Sequence, residues 1–179
     1  MEQAGLVLWF TGLSGAGKTT TAKALQEALR ASGNKVELLD GDELRNTISK
    51  GLGFSREDRL DNIRRIVYLS RLLSRNGVTV LVSAITPYRE MRQMAREELP
   101  GYVEIYVDCP LAECERRDVK GLYAKARRAE IPSFTGIGDS YESPEQPDLV
   151  LRTDRDPVEN NVSLVLEYME ARRRQGEAV

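Results

Sequence analysis

The stretch "GLSGAGKT", Gly12 to Thr19, meets every defined position of G-x-x-x-x-G-K-[ST]. An apolar run precedes it and a helical pattern follows, the context in which this motif cradles phosphates. Gly12, Ser14, Gly15, Ala16 and Gly17 are small enough for the main chain to wrap a triphosphate with its N–H groups pointing inward. Lys18 can then reach the β- and γ-phosphates, and the Thr19 hydroxyl can ligate Mg²⁺. Thr20 continues the loop into its helix and joins the ATP-binding set. A second cluster, "LLDGDELR" (38–45), places Asp40 and Asp42 at the end of a strand-like run. In open α/β sheets ligands bind beyond the carboxyl ends of the strands. One of these carboxylates can hold Mg²⁺ and the other can accept a proton from an attacking hydroxyl. The structural alternative is that Asp42 is a helix N-cap. The chain has no histidine, so acid–base work falls to carboxylates, Lys, Tyr or Cys.

A third set lies in "GFSREDRLDNIRRI" (53–66), where seven of the twelve residues from Phe54 to Arg65 are Arg, Asp or Glu. Ser55 with Asp58 reads as a capping box, so a helix should begin near Ser55. At about 100° per residue, Leu60, Ile63, Ile66, Val67, Leu69 and Leu73 share one face. Glu57, Asp61, Arg64 and Arg65 fall on the opposite, solvated face. Arg59 breaks this division, because it sits in the middle of the apolar arc with Asn62 beside it. A buried guanidinium needs either an internal carboxylate or an anionic ligand. Phe54, just before the cap, offers an aromatic surface that could stack on a base.

These groups need a scaffold, and the apolar pattern supplies one. Strand-like runs at 6–11, 35–40, 78–85, 102–108 and 148–153 alternate with helical stretches at 18–31, 55–76, 88–98, 111–118 and 157–174. Such alternation implies a parallel sheet covered on both faces. The expectation is an α/β, three-layer P-loop NTPase fold in one domain over 1–179, with a mainly parallel five-stranded sheet. Residues 119–147 carry three glycines and three prolines and lack regular alternation. They read as an irregular insertion, a lid. Arg116, Arg117, Lys120, Lys125, Arg127 and Arg128 fall within thirteen residues that run into its start. They form either a solvated surface or a cover over phosphates, with Arg117 assigned to ATP. Ser133 and Phe134 follow as acceptor-side candidates.

With 179 residues and a net charge of −2, the chain has no basic footprint for nucleic acid. No apolar run is long enough to span a bilayer and no signal peptide is expected. Cys109 and Cys114 read as free thiols of a cytoplasmic protein.

Together, "GLSGAGKTT", "LDGDELR", "GFSREDRLDNIRR", "DVKGLYAKAR" and the block from Phe134 to Pro144 resemble the adenylylsulfate kinase family over roughly residues 5 to 170. The resemblance implies Mg²⁺-dependent transfer of the ATP γ-phosphate to the 3′-hydroxyl of adenosine 5′-phosphosulfate, giving PAPS and ADP in sulfate assimilation. It implies that Asp42, Arg45, Phe54, Arg59, Asn62, Ile85, Lys120 and Phe134 contact the acceptor, with Phe54 and Phe134 sandwiching its adenine. It associates Asp40 with Mg²⁺ and catalysis, leaves proton acceptance open between Asp40 and Asp42, and implies a homodimer. Many members carry a serine, described as a phosphoserine intermediate, where this chain has Thr86. Thr86 is read here as a helix-capping or acceptor-site residue. The alternatives are a kinase for another small nucleotide acceptor and a non-catalytic nucleotide-binding regulatory module. The second lacks support from an N-K-x-D guanine signature, which is absent.

Overall fold

The computed structural model describes residues 4–175. Five strands, β1 (Val7–Thr11), β2 (Val36–Asp40), β3 (Thr79–Ser83), β4 (Tyr102–Val107) and β5 (Leu149–Leu151), form one sheet in the order β2-β3-β1-β4-β5. Every pairing is parallel. The helices are α1 (Lys18–Ala31), α2 (Gly41–Asn46), α3 (Arg56–Ser74), α4 (Arg89–Glu98), α5 (Leu111–Arg117), α6 (Leu122–Arg127) and α7 (Val158–Arg174).

The period-two alternation of β1 divides the core. Leu8 and Phe10 pack with α1 and α7 residues such as Leu25 and Val165. Val7 and Trp9 face the other way, against α3 and α4 residues such as Ile66 and Met91. Every residue of β1 is buried, as expected for a central strand covered on both faces. Truncating Trp9 or Phe10 to Ala should cost about 3–5 kcal/mol. Because β3 and β4 flank β1 on opposite sides, the chain reverses direction across the sheet at the carboxyl end of β1. That reversal opens the crevice in which such sheets bind ligands.

Two helices depart from the sequence expectation. α2 lies outside the helical stretches read from the sequence, and Asp40 caps it by accepting from the Asp42 and Glu43 amides at 3.0 and 3.2 Å. The cap is therefore Asp40 and not Asp42. α6 lies inside the stretch expected to be irregular; the Asp118 carboxylate accepts from the Tyr123 and Ala124 amides at its start. Six residues are too short to display a helical period. Cys109 and Cys114 are free and buried, and burial pushes the Cys114 thiol up to about 12. No helix among the described residues is long and apolar enough to cross a membrane.

Candidate active site

The loop after β1 is built by close approach. A Cβ on Gly12 would lie 2.6 Å from the Val107 carbonyl oxygen, and Gly17 has φ 96° at the N-cap of α1. Only glycine adopts such a backbone without strain. The Gly12 amide donates to the Ile85 carbonyl and the Ala16 amide to the Leu13 carbonyl. Gly12 and Ala16 thus lie behind the cavity wall as loop scaffold. Ser14, Gly15, Gly17, Lys18, Thr19 and Thr20 line a cavity of about 620 Å³. Lys18 Nζ donates to the Gly12 and Leu13 carbonyls at 3.0 and 2.7 Å. Burial, followed by the charge of Lys120, lowers its pKa to about 8.

Thr19 Oγ1 donates to Asp40 Oδ2 at 2.7 Å and lies 2.8 Å from Ser83 Oγ. With Oδ1 capping α2, both oxygens of Asp40 are engaged. Asp42, two residues further on, is exposed and paired with Lys120 of the lid. Thr19, Asp40 and Ser83 are an all-oxygen set, which suits Mg²⁺. No group of three or more His, Cys, Asp or Glu side chains that could hold a metal ion occurs among the described residues. Mg²⁺ needs none, since it commonly keeps waters and substrate phosphates as ligands.

The sequence places Arg59 on the apolar face of α3, and it is 7% exposed. Ser55 caps the helix as expected, accepting from the Asp58 amide. All but one of the partners of Arg59 come from the lid. It donates to the Phe54 carbonyl (2.8 Å), Thr135 Oγ1 (2.6 Å) and the Ser133 carbonyl (2.5 Å), and lies 3.9 Å from Asp139 Oδ2. Three of its five N–H groups are therefore used internally while the side chain still lines the cavity. Asn62 lines it too, and its buried Oδ1 has no hydrogen-bond partner. Arg45 sits 4.4 Å from the centroid of the Phe54 ring and donates to the Gly53 carbonyl. Burial and then the charge of Arg59 lower the Arg45 pKa, so two cations share this wall.

Phe134 is buried edge-on against Tyr123, with ring centroids 5.0 Å apart, whereas Phe54 is largely exposed. Both line the cavity, as do Ile85, Ser133, Arg117 and Lys120. Arg117 donates to the Thr153 carbonyl and pairs with Glu113. The rest of the basic run behaves as solvated surface: Arg116, Arg127 and Arg128 pair with Glu113, Glu115 and Glu130.

Thr86 lines the cavity but caps no helix. The N-cap of α4 is Tyr88, and the Thr86 hydroxyl accepts from Trp9 Nε1 (2.9 Å) and donates to the Ala84 carbonyl (3.1 Å). Sequence reasoning passed over Ser83, Thr135 and Asp139. Ser83 carried a signal, as a polar residue near the carboxyl end of the strand-like run 78–85. Thr135 and Asp139 carried none, because their roles depend on a contact more than seventy residues away in sequence.

A sequence profile described as adenylylsulphate kinase matches residues 4–152. The adenylyl-sulfate kinase of Picosynechococcus sp. is 57% identical over 169 residues, covering 94% of this chain and 96% of that protein. The adenylyl-sulfate kinase of Deinococcus deserti is 56% identical over 165 residues, covering 92% of this chain and 91% of that one. Among solved structures, the Mycobacterium tuberculosis APS kinase in complex with AMPPNP and APS superposes with a TM-score of 0.91 at 43% identity. That match covers 94% of this chain and 99% of that one. The chain belongs to the adenylylsulphate kinase family.

Proposed function

We propose that this cavity transfers the γ-phosphate of ATP to the 3′-hydroxyl of adenosine 5′-phosphosulfate, giving PAPS and ADP. The observation that carries the reading is that one cavity is lined both by the phosphate loop and by Arg45, Phe54, Arg59 and Asn62. The two arginines on that wall suit an anionic acceptor. A donor from the acceptor, such as an adenine amino group or a ribose hydroxyl, would satisfy the orphaned Asn62 Oδ1. Phe54 and Phe134 supply faces and edges for the base.

In this reading Gly15, Gly17, Lys18, Thr20 and Arg117 bind the triphosphate. Thr19 and Asp40 would hold Mg²⁺, which, when bound, neutralises charge on the transferring phosphate. Asp40 caps α2 with one oxygen and accepts from Thr19 with the other, so we assign proton acceptance to Asp42, whose carboxylate pairs with Lys120. Ordering ATP would draw Lys18 and Lys120 toward phosphate and free Asp42 for the acceptor hydroxyl. Residues 119–147 act as the lid of one domain. We also assign a cytoplasmic location, on the free buried thiols and the ATP substrate, and a homodimer, which the elution mass from light scattering checks.

The test is turnover of purified protein with Mg-ATP and a panel of acceptors, with products separated by chromatography. PAPS formed from adenylylsulfate, with far slower turnover of AMP, is expected. Equal turnover of AMP, or hydrolysis independent of any acceptor, would sink the reading. Asp42→Asn should lower kcat while leaving the Mg²⁺ half-saturation intact, and Asp40→Asn should do the reverse.

A further inference from the structure

The turn from β3 into α4 holds Thr86 at φ 51°. A β-branched residue in the left-handed region is an outlier that persists only where its surroundings over-determine it. Here they do. Arg92 Nη1 donates to the Thr86 carbonyl at 2.8 Å. Trp9 Nε1 donates to the Thr86 hydroxyl at 2.9 Å, and that hydroxyl donates on to Ala84. Thr11 Oγ1 donates to the neighbouring Ile85 carbonyl at 2.6 Å.

Arg92 is the unusual member. It is 3% exposed, yet it lies outside the residues that line the cavity. Its Nε sits 4.0 Å from Oε2 of Glu104, a residue of β4 that is 6% exposed and accepts from the Tyr102 hydroxyl. Its Nη2 donates to the Glu142 carbonyl, in the returning end of the lid. Removing two charges from water rarely gains stability over apolar packing, so stability alone is a weak account of this pair. The fork instead joins two main-chain carbonyls, one in the cavity wall and one in the lid. A lysine, with a compact ammonium, cannot match that geometry.

We propose that Arg92 is a positioning residue for the acceptor. From behind the wall it holds Thr86 in its strained conformation, and so shapes the Ile85–Thr86 surface and registers the lid against it. This rests on the reading that Ile85 and Thr86 face the acceptor. The role is separable from mere structural support because glycine takes a positive φ without a Cβ clash, so a Thr86→Gly chain needs the clamp less.

The experiment is a double-mutant cycle of Arg92→Lys and Thr86→Gly, reading acceptor KM, ATP KM and thermal melting. Arg92→Lys keeps a cation opposite Glu104. It should raise acceptor KM about tenfold with ATP KM within about twofold, and the effect should shrink below about threefold in the T86G background. Should Arg92→Lys fail to fold, Trp9→Phe removes the other donor to Thr86. It should raise acceptor KM about threefold in wild type and not in T86G. Ile85→Ala separates this proposal from the reading beneath it. If Ile85→Ala leaves acceptor KM unchanged, the wall does not face the acceptor and both fail. If Ile85→Ala raises it while the clamp variants do nothing, or act equally in both Thr86 backgrounds, only the Arg92 proposal is overturned.

Discussion

The two walls of the cavity are held in different ways. On the phosphate side, Lys18, Thr19, Asp40 and Ser83 sit at or just beyond the carboxyl ends of three adjacent strands, β1, β2 and β3. Asp40 and Ser83 are register partners in the ladder, as are Ser83 and Phe10. The sheet therefore fixes their spacing, and their hydrogen bonds close among themselves. On the acceptor side, Arg59 is tied to Ser133 and Thr135, 74 and 76 residues away, and Asp42 to Lys120, 78 residues away. That wall is complete only while the lid is in place. Ser133, with φ 54°, and Ala129, with φ 58°, add backbone cost there. One wall is preorganised by the fold, and the other is assembled by contacts that a ligand can exchange.

The largest expected effect falls on the preorganised wall. Lys18→Met should lower kcat by about 10²–10³-fold, the usual loss when one donor to developing charge is removed. The protein should remain folded, because an apolar side chain replaces a cation that is costly to bury. The same lysine sets a pH signature. Its pKa is lowered from 10.5 to about 8, and bound phosphates would raise it again. Nucleotide affinity should therefore hold below pH 8 and fall as pH rises past it, with proton uptake on binding above pH 8. Calorimetry in buffers of different ionisation enthalpy reads that uptake, and Lys18→Met should abolish it. In the unliganded protein the sign for stability is opposite. Between 8 and 10.5 the unfolded chain holds the proton and the native state does not. The contribution of this group is present above that window and is lost as pH falls through 8.

The assembled wall should respond in a different parameter. Arg59→Ala should raise acceptor KM by roughly 10–100-fold with ATP KM nearly unchanged, since it removes both an anion-facing cation and an anchor of the lid. Amide exchange at residues 133–139 should accelerate in the same variant. Equal losses for ATP and acceptor would mean that the walls are not separately held. A folded variant with acceptor affinity intact would make Arg59 an internal strut alone.

The same contrast explains what could be read in the sequence. The phosphate loop was legible because its residues are contiguous and each has a fixed job. Arg59 was legible as an anomaly, because helical angle alone placed a cation on a buried face. Its partners were not, since no local pattern announces that Ser133 and Thr135 fold back onto α3. The basic run 116–128 divides between surface pairs and the cavity residues Arg117 and Lys120, and charge density cannot make that division. Glu104 was half legible. In "YVEIYV" the alternation puts Tyr102, Glu104 and Tyr106 on one face, but only the fold brings Arg92 to it. α2 and α6 escaped because short helices are set by a capping carboxylate, not by periodicity.

The smallest effect tests how rigid the preorganised wall is. The Thr19 hydroxyl has one proton, which goes to Asp40, so the 2.8 Å contact to Ser83 must be a donation from Ser83 to Thr19. That leaves one lone pair on Thr19 directed at neither neighbour and available to Mg²⁺. Ser83→Ala removes the donation while the Thr19 hydroxyl still donates its proton to Asp40, so Thr19 keeps its charge state and loses only its orientation. A buried hydrogen bond contributes about 1 kcal/mol net, so the Mg²⁺ half-saturation should rise by about fivefold. Nucleotide affinity measured without metal should not move, nor should acceptor KM. Titrating Mn²⁺ by its paramagnetic signal reads the metal term directly, apart from turnover. A shift in acceptor KM instead would mean that the sheet does not isolate the phosphate side, because Ser83 also precedes the Ala84–Thr86 turn that forms the opposite wall.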